Sequence, residues 1–157
     1  MKNSDTIEHT TLTVANNAFF KEVKDILKNG NDVMFKINGN SMLPFLSHGD
    51  NVVVGKVTDK DLTLGKVMLG YSKFGYVLHR LVWKSGDKIW LAGDNNLIQI
   101  EYLEKNNVFG YVKFVEIDGV KKDINTRKNL LLGLFWFCLR PFRWIIYKFK
   151  KIFQTKI

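Results

Sequence analysis

The N-terminal region of the chain contains one amphipathic helix pattern. From Thr13 to Lys28 apolar residues recur every three or four positions, which is typical of a helix with one packed face. Asn29 and Gly30 follow directly and are typical of a helix end. Residues 1–12 are polar, contain no signal-peptide hydrophobic region and are expected to be loosely ordered. The predicted apolar face consists of Ala15, Ala18, Phe19, Val23, Ile26 and Leu27.

Residues 32–118 show a different pattern, in which short runs of alternating apolar and polar residues are separated by Gly-Asp, Asp-Gly and Ser-Gly pairs. Such alternation is typical of strands with one buried face, and the Gly and Asp residues are typical of tight turns. The run from Gly75 to Trp83 places Val77, His79, Leu81 and Trp83 on one face and Tyr76, Leu78, Arg80 and Val82 on the other. Many short strands joined by hairpin turns predict a mostly antiparallel, partly closed, barrel-like sheet.

Residues 127–157 are apolar and basic. Ten apolar residues follow Asn129 before Arg140 and Pro141 interrupt them, whereas a membrane-spanning helix needs about 20. Beyond Pro141, helical spacing separates an apolar face from a basic one. The apolar face holds Phe142, Ile145, Ile146, Phe149, Ile152 and Phe153, and the basic face holds Arg140, Arg143, Lys148, Lys150 and Lys151. This separation predicts a helix that lies in a membrane interface, with a helix that covers the protein's own sheet as the alternative.

The charge distribution supports the same division. The 157 residues carry 24 Lys and Arg against 15 Asp and Glu, a formal net charge of +9. Eight of the 24 basic residues and none of the 15 acidic residues lie at positions 127–157, which leaves 16 basic and 15 acidic residues before them. A nearly neutral body with a basic tail predicts contact between the tail and an acidic surface. No specific nucleic-acid partner is expected.

The length fits one domain with short appendages, namely residues 1–32 with one helix, a β-rich domain at 33–126, and a tail at 127–157. Cys138 is the only cysteine, so no intramolecular disulfide is possible. The three histidines are scattered and no Gly-rich phosphate loop is present. We therefore expect no metal and no cofactor.

One segment of the β-rich domain carries candidate chemistry. The sequence Gly39-Asn40-Ser41-Met42-Leu43-Pro44 places a serine in a sharp turn shortly before the apolar run that starts at Asn51. Such a turn can expose a hydroxyl and backbone N–H groups, which suits acyl transfer. Taken singly, a serine near a proline is typical of an ordinary turn, and a lone strand histidine such as His79 is typical of a packed core residue. Gly93-Asp94-Asn95-Asn96 is, by composition, a loop.

Taken together, these segments resemble the superfamily of type I signal peptidases and LexA-type self-cleaving repressors. His79 stands where bacterial leader peptidases carry lysine, which is similar to the histidine-type branch of that superfamily. The resemblance implies a partly closed antiparallel β-barrel-like fold and serine endopeptidase activity. It covers roughly residues 33–118, and the matching segments are Gly39–Pro44, Gly49–Val52, Gly65–Met68, His79-Arg80, Gly93–Asn95 and Val108–Val112.

The resemblance implies a role for each matching residue. Ser41 falls on the nucleophile, His79 on the general base and Asp94 on a carboxylate that orients the imidazole. Backbone N–H groups near Ser41 are expected to form the oxyanion hole, and the oxyanion- and substrate-binding residues implied are Asn40, Ser41, Met42 and Pro44. The chemistry is coherent, because an imidazole with a reference pKa of about 6.5 can take the serine proton near neutral pH.

Three positions depart from the family pattern. Gly39 replaces a serine that donates to the oxyanion in leader peptidases, so backbone N–H groups, helped by Asn38 or Asn40, have to form the hole. Lys66 replaces the Asp of the second Gly-Asp pair, which is tolerable if that Asp only makes a turn. Histidine-type members also carry another acid soon after Gly-Asp-Asn, and Glu101 is the nearest one here.

The sequence thus predicts a serine endopeptidase that cleaves a leader or signal-type peptide at or near a membrane. Its expected partners are a peptide or protein substrate, bound as an extended chain along a strand edge near Ser41, and membrane lipids bound by the tail. Peripheral or monotopic attachment at the cytoplasmic face is the simpler expectation, because the N-terminal region shows no signal or anchor. The N-terminal helix is expected to pack on the sheet, with a gate over the substrate groove as the alternative.

Two other functions are compatible with the sequence. One is a catalytically silent homologue that binds a peptide or scaffolds a membrane complex, which Gly39 and the missing second acid favour. The other is a self-cleaving LexA-type regulator. That function needs a pair of DNA-binding helices, and residues 1–32 contain only one helix pattern.

Overall fold

The computed structural model describes residues 18–117 and 119–154, and its main element is a single antiparallel sheet of eight strands. The strands are β1 (Val33–Lys36), β2 (Asn51–Lys56), β3 (Val67–Ser72), β4 (Gly75–Ser85), β5 (Lys88–Ala92), β6 (Glu101–Glu104), β7 (Val108–Ile117) and β8 (Val120–Lys122). Their order is β1-β2-β7-β3-β4-β5-β6, and β8 pairs with β7. The sheet curls into a half-barrel, which confirms the predicted fold class.

Three helices accompany the sheet. The described part of α1 covers residues 18–28, and the chain turns at Asn29 and Gly30 as predicted. At the other end of the chain, α2 (Arg127–Cys138) and α3 (Arg140–Gln154) follow each other with a sharp bend. Residues 1–17, which comprise the segment expected to be loosely ordered and the predicted start of the helix with Ala15, lie outside the described residues.

The first helix packs on the sheet, as predicted, but through a slightly different face. Val23 and Leu27 are fully buried in the larger apolar cluster of the half-barrel. Phe20 packs against the same cluster, whereas Phe19 is exposed. Phe20, Val23 and Leu27 therefore face the core, at positions i, i+3 and i+7 of the helix. At the N-terminal end of this face, Phe20 takes the place that was predicted for Phe19.

Two apolar clusters fill the two faces of the curled sheet. The larger one joins α1 to β1, β2, β3 and β7, and it also contains Met42 and Leu46 from the loop that carries Ser41. The smaller one joins β3 to β4, β5 and β6 through residues such as Leu81 and Leu91. Because Met42 is buried beside it, Ser41 is held at the edge of a packed core.

The tail helices are partly docked and partly exposed. Gly133 in α2 is buried, and a side chain added there would meet the guanidinium of Arg80 in β4. In contrast, the apolar side chains of α3 are exposed to solvent, which argues against the alternative that this helix covers the sheet. The exposed side chains are Phe142, Ile145, Ile146, Phe149 and Ile152, and Phe153 lies outside the described side chains.

Two cations of the predicted basic face are placed differently from the prediction. Arg140 is only 7% exposed, because it binds backbone carbonyls of the β5–β6 loop. Arg143 is half-buried over the ring of Trp136, at 4.1 Å from its centroid. Lys148, Lys150 and Lys151 are exposed as predicted.

Within the described part of the chain, no helix alone is long and apolar enough to cross a membrane. Only α2 and α3 taken together, across a 51° bend, have sufficient length and apolar composition.

Candidate active site

Ser41 and His79 meet at the edge of the sheet, as the sequence predicted. The hydroxyl oxygen Oγ of Ser41 lies 3.1 Å from Nε2 of His79. His79 sits in β4, opposite Met68 of β3, and is 6% exposed. Ser41 lies in the turn between β1 and β2 and is half-buried, so the hydroxyl is within reach of solvent. This distance suits proton transfer from the serine to the histidine.

The second ring nitrogen of His79 is held by Glu101 at the start of β6. Its Nδ1 lies 2.9 Å from Oε2 of Glu101, whose side chain is fully buried. The other carboxylate oxygen, Oε1, accepts a hydrogen bond of 2.8 Å from the side-chain amide of Gln99. An ionised carboxylate only accepts hydrogen bonds, so the ring proton sits on Nδ1 and Nε2 is free to accept from Ser41.

The prediction that Asp94 orients His79 is wrong. Asp94 is bound by Arg80, whose Nε and Nη2 donate to its two carboxylate oxygens at 2.7 and 2.6 Å. Both side chains are buried, and Arg80 also donates from Nη1 to the carbonyl oxygen of Gly65. Burial raises the pKa of the Asp94 carboxyl, and the hydrogen bonds from Arg80 act in the opposite direction.

The pleat of β4 explains why Glu101, and not Asp94, contacts His79. His79 and Arg80 are neighbours in the strand, so their side chains point to opposite faces of the sheet. Arg80 pairs with Ala92 in β5, which places Asp94, two residues further, beside Arg80. Leu81 pairs with Leu91, and Leu91 pairs with Glu101, which places Glu101 on the face that carries His79. Glu101 could have been identified from the alternation of side chains along β4 combined with the pairing of β4 with β5 and of β5 with β6.

The loop that carries Ser41 is fixed by the loop that carries Asp94. The carbonyl oxygen of Ser41 accepts a hydrogen bond of 2.8 Å from the backbone N–H of Asn95. The Cα of Gly93 approaches so closely that an added side chain would lie 2.8 Å from the same carbonyl oxygen. Asp94 is therefore close to the site in space, but its role there is to pair with Arg80 and hold this loop.

Backbone N–H groups beside Ser41 are available for an oxyanion. Among the residues the structure describes, the N–H groups of Asn40, Ser41 and Met42 donate no hydrogen bond. The Met42 side chain is buried in the core, and Asn40 is exposed. Pro44 has no N–H to donate, and it follows a cis peptide bond. Of the four residues predicted to bind the oxyanion or the substrate, only Asn40, Ser41 and Met42 can therefore supply an N–H group to an oxyanion.

The departures from the family pattern also have defined places. The N–H of Gly39 donates to Nδ1 of His48 at 3.3 Å, so it is not free for an oxyanion. Lys66, which replaces an Asp, lies with Nζ 3.2 Å from Oδ1 of Asp61. Partial burial alone would raise the pKa of Asp61, but hydrogen bonds from Thr58 and Lys66 outweigh it and lower that pKa below 3.8.

Two strand edges next to the site are unpaired within the described residues. β1 pairs only with β2, so its outer edge is open. The pairing of β4 with β5 starts at Arg80, which leaves residues 75–79 of β4 paired on one side only. Phe20 of α1 lies between these edges, stacked on Tyr76 of β4 at 4.9 Å and edge-on to Phe35 of β1 at 5.8 Å.

Across residues 18–117 and 119–154, no group of three or more His, Cys, Asp or Glu side chains could hold a metal ion.

A serine hydrogen-bonded to a histidine, which a buried carboxylate holds from the other side, is the arrangement of groups that serine hydrolases use. The comparison with known proteins agrees: the sequence matches the family described as Peptidase S24-like over residues 3–113. The chain belongs to this family, which confirms the resemblance to LexA-type and signal-peptidase-like serine peptidases. No curated protein matches the chain.

Proposed function

We propose that the protein is a serine endopeptidase in which Ser41, His79 and Glu101 act as nucleophile, base and orienting carboxylate. The family is one of serine peptidases, some of them self-cleaving and some inactive. The observation that carries the proposal for this chain is the unbroken contact from Ser41 Oγ to His79 to Glu101, with distances of 3.1 and 2.9 Å. A homologue that had lost catalysis would be under no constraint to keep all three groups aligned.

The reaction follows from the protonation states. Ser41 Oγ attacks the carbonyl carbon of the scissile peptide bond while its proton passes to Nε2 of His79. Negative charge develops on the carbonyl oxygen and is stabilised by free N–H groups of residues 40–42. The C–N bond breaks as His79 returns the proton to the leaving amine. A water molecule then gives a proton to His79, attacks the ester, and the carboxylic acid product leaves as Ser41 regains its proton.

The open strand edges suggest how a substrate binds. An extended peptide can add to the unpaired part of β4 or to β1 through backbone hydrogen bonds, which brings a peptide bond to Ser41. Such binding depends little on the side chains of the substrate, apart from those that point into the half-barrel. Small side chains before the scissile bond are expected from the family resemblance, and a leader or signal-type peptide is the substrate class that fits it.

We further propose that the tail holds the enzyme at an anionic membrane surface. Exposed apolar side chains of α3 share the helix with exposed lysines, and the tail carries eight Lys and Arg without an acid. The apolar surface continues past the α2–α3 bend to Ile98, which is 77% exposed in the β5–β6 loop. A groove of about 630 Å³ lies between that loop and the start of α3. Peripheral or monotopic attachment at the cytoplasmic leaflet, which is rich in anionic lipids, is the proposed location.

The peptidase proposal is tested by incubating the full-length protein with a diverse peptide library and identifying the products by mass spectrometry. Wild-type protein should cut extended peptides, and Ser41→Ala and His79→Ala should reduce cleavage by about 10⁴-fold or more. Ser47→Ala is the matched control, because Ser47 is an exposed serine of the same loop. Equal cleavage by Ser41→Ala would contradict the proposal. Products that arise only from the protein's own chain would identify a self-cleaving regulator, and folded wild-type protein without any cleavage would identify a silent homologue.

The membrane proposal is tested by sedimentation with vesicles that contain phosphatidylglycerol. Ile145→Glu with Phe149→Glu should release the protein even at low salt, because apolar burial supplies most of the binding energy. Phe74→Glu with Tyr102→Glu is the matched control, since it makes the same charge change at residues of the β3–β4 turn and of β6 that are 63% and 65% exposed. Equal vesicle binding by the two double variants would contradict a role of α3 in membrane attachment.

A further inference from the structure

Arg140 contacts the β5–β6 loop in a way that the membrane role of the tail does not require. It is the first residue of α3, yet its side chain turns away from solvent. Its Nε donates to the carbonyl oxygen of Asn96 at 2.6 Å, and its Nη2 donates to the carbonyl oxygen of Gln99 at 2.8 Å. Both carbonyls belong to a loop outside the strands, where no ladder partner can satisfy them.

The contact continues from this loop to the catalytic histidine. The Gln99 side chain donates to Oε1 of Glu101 at 2.8 Å, and Oε2 of Glu101 holds Nδ1 of His79 at 2.9 Å. Arg140 fixes the backbone of the residue whose side chain fixes Glu101. Three hydrogen bonds therefore lead from the start of α3 to the base, and a fourth leads from the base to Ser41.

A second tail residue holds the other end of the same loop. The indole Nε1 of Trp136 in α2 donates to the carbonyl oxygen of Asp94 at 3.0 Å. The next residue, Asn95, donates its N–H to the carbonyl oxygen of Ser41 at 2.8 Å. The tail thus binds residues 94–99 at both ends. This loop contacts Ser41 directly through Asn95, and it reaches His79 through the hydrogen bond from Gln99 to Glu101.

Burying a guanidinium costs free energy, because the charge loses its hydration. At this place the charge is compensated by carbonyl oxygens of the loop, with Glu101 and Asp94 within electrostatic range. An apolar residue at position 140 would cover the loop without that cost, but it would leave the carbonyls of Asn96 and Gln99 without donors. A buried arginine is therefore suited to fixing the conformation of this loop.

We propose that Arg140 is a positioning residue for the Ser41–His79 pair, and that docking of the tail through it is needed for full activity. This inference rests on the proposed peptidase function. Without Arg140 the backbone of Gln99 is released, Glu101 loses a fixed donor, and the imidazole of His79 spends less time in line with Ser41. The effect falls on kcat, because the side-chain hydrogen bonds of Arg140 go to the β5–β6 loop and not to the edges of β1 and β4 that would bind the peptide.

The test compares Arg140→Ala, Arg140→Lys, Gln99→Ala and the double variant Arg140→Ala with Gln99→Ala in the full-length protein. Lys150→Ala is the matched control, because it removes the same charge from an exposed position of the same helix. Two quantities are measured: kcat and KM on a short soluble peptide found by library cleavage, and the exchange rate of the His79 Nδ1 proton with water by NMR. The second measurement needs no catalysis.

Arg140→Ala should lower kcat by about 10–100-fold with little change in KM, and Arg140→Lys should recover part of the loss, since one donor and the charge remain. Nδ1 proton exchange should accelerate about tenfold in Arg140→Ala and Gln99→Ala but not in Lys150→Ala. The double variant should lose little more than the worse single variant, because both act through Glu101.

Arg140→Ala with the kcat and exchange rate of Lys150→Ala would overturn the inference. Additive losses in the double variant would also overturn it, because they would show that Arg140 acts independently of Gln99. If wild-type protein cleaves no peptide while Nδ1 exchange changes as expected, the peptidase proposal fails and the positioning role of Arg140 stands.

Discussion

Glu101 holds Nδ1 of His79 at 2.9 Å although the two residues are 22 positions apart in the chain. The contact arises from two successive hairpins, in which β4 pairs with β5 and β5 pairs with β6. Because the carboxylate is buried and its second oxygen is bound by Gln99, it has one defined orientation towards the ring. This contact fixes the tautomer in which His79 can accept the proton of Ser41.

The Arg80–Asp94 pair should matter for folding more than for chemistry. Asp94→Asn leaves the buried guanidinium of Arg80 without a counter-charge, and we expect a loss of about 3 kcal/mol or more in the free energy of unfolding. Under conditions where the variant stays folded, the rate of peptide cleavage should fall by less than about tenfold. Urea denaturation and single-time-point cleavage assays measure the two effects. A variant with wild-type stability and no activity would return Asp94 to the catalytic site.

Close packing between α2 and β4 predicts the effect of a side chain at position 133. Gly133→Ala would normally stabilise a helix by about 1 kcal/mol, but its methyl group would clash with the guanidinium of Arg80. We expect instead a loss of about 1–3 kcal/mol, because α2 or Arg80 must move. Leu131→Ala is the control, since that side chain is 66% exposed on the same helix. Thermal denaturation that shows Gly133→Ala to be as stable as the wild type would contradict docking of α2.

Activity should depend on pH through the base. His79 can take the proton of Ser41 only while its imidazole is neutral, so kcat/KM should rise with pH as the protonated form of the base disappears. The measurement is a pH profile of kcat/KM on one soluble peptide. A profile that rises only in the range where lysines lose their proton would implicate Lys56 or Lys66 as the base. Lys66 already pairs with Asp61, which makes that outcome unexpected.

Asp61 makes a pH-dependent contribution to stability. Its pKa is lowered in the folded protein, so its contribution is present above about pH 4 and is lost as pH falls through the lower, folded-state pKa. Asp61→Asn should therefore cost about 1 kcal/mol at pH 6, and the cost should vanish at a pH below the lowered pKa, where wild-type Asp61 is neutral too. Chemical denaturation at the two pH values measures this. The same cost at both would show that charge is not the source.

The parts of the site that sequence could predict are those set by local pattern. Ser41 and His79 can be identified because their segments occur together, in the order and spacing of the family pattern, whereas either residue alone is typical of a turn or a packed strand. From the sequence, Glu101 is only the nearest acid after Gly-Asp-Asn, because its contact with His79 depends on the register of two hairpins and on the bend of the chain between Asn95 and Ile100. The family pattern points to Asp94, whereas the alternation in β4 and the pairing of Arg80 with Ala92 place Asp94 beside Arg80 and away from His79.

The fold class was predictable for a related reason, whereas the docking of the helices was not. Alternation and turn residues determine strands, so the antiparallel half-barrel followed from the sequence. The burial of Arg140 did not, because helical spacing places it among the cations and only the position of the β5–β6 loop provides carbonyls for it. The same holds for Phe20, which packs between two strands whose proximity is a result of the curl of the sheet.

The most direct test of Ser41, His79 and Glu101 as the catalytic unit is the ratio of kcat/KM between wild-type protein and Glu101→Gln on one cleaved peptide. Thermal denaturation shows whether the variant is folded. Glutamine keeps the shape and the contact with Gln99 but cannot stabilise the imidazolium or enforce the same tautomer. We expect kcat/KM to fall by about 10²–10⁴-fold. A folded Glu101→Gln variant with the kcat/KM of the wild type would contradict the assignment of Ser41, His79 and Glu101 as the catalytic unit.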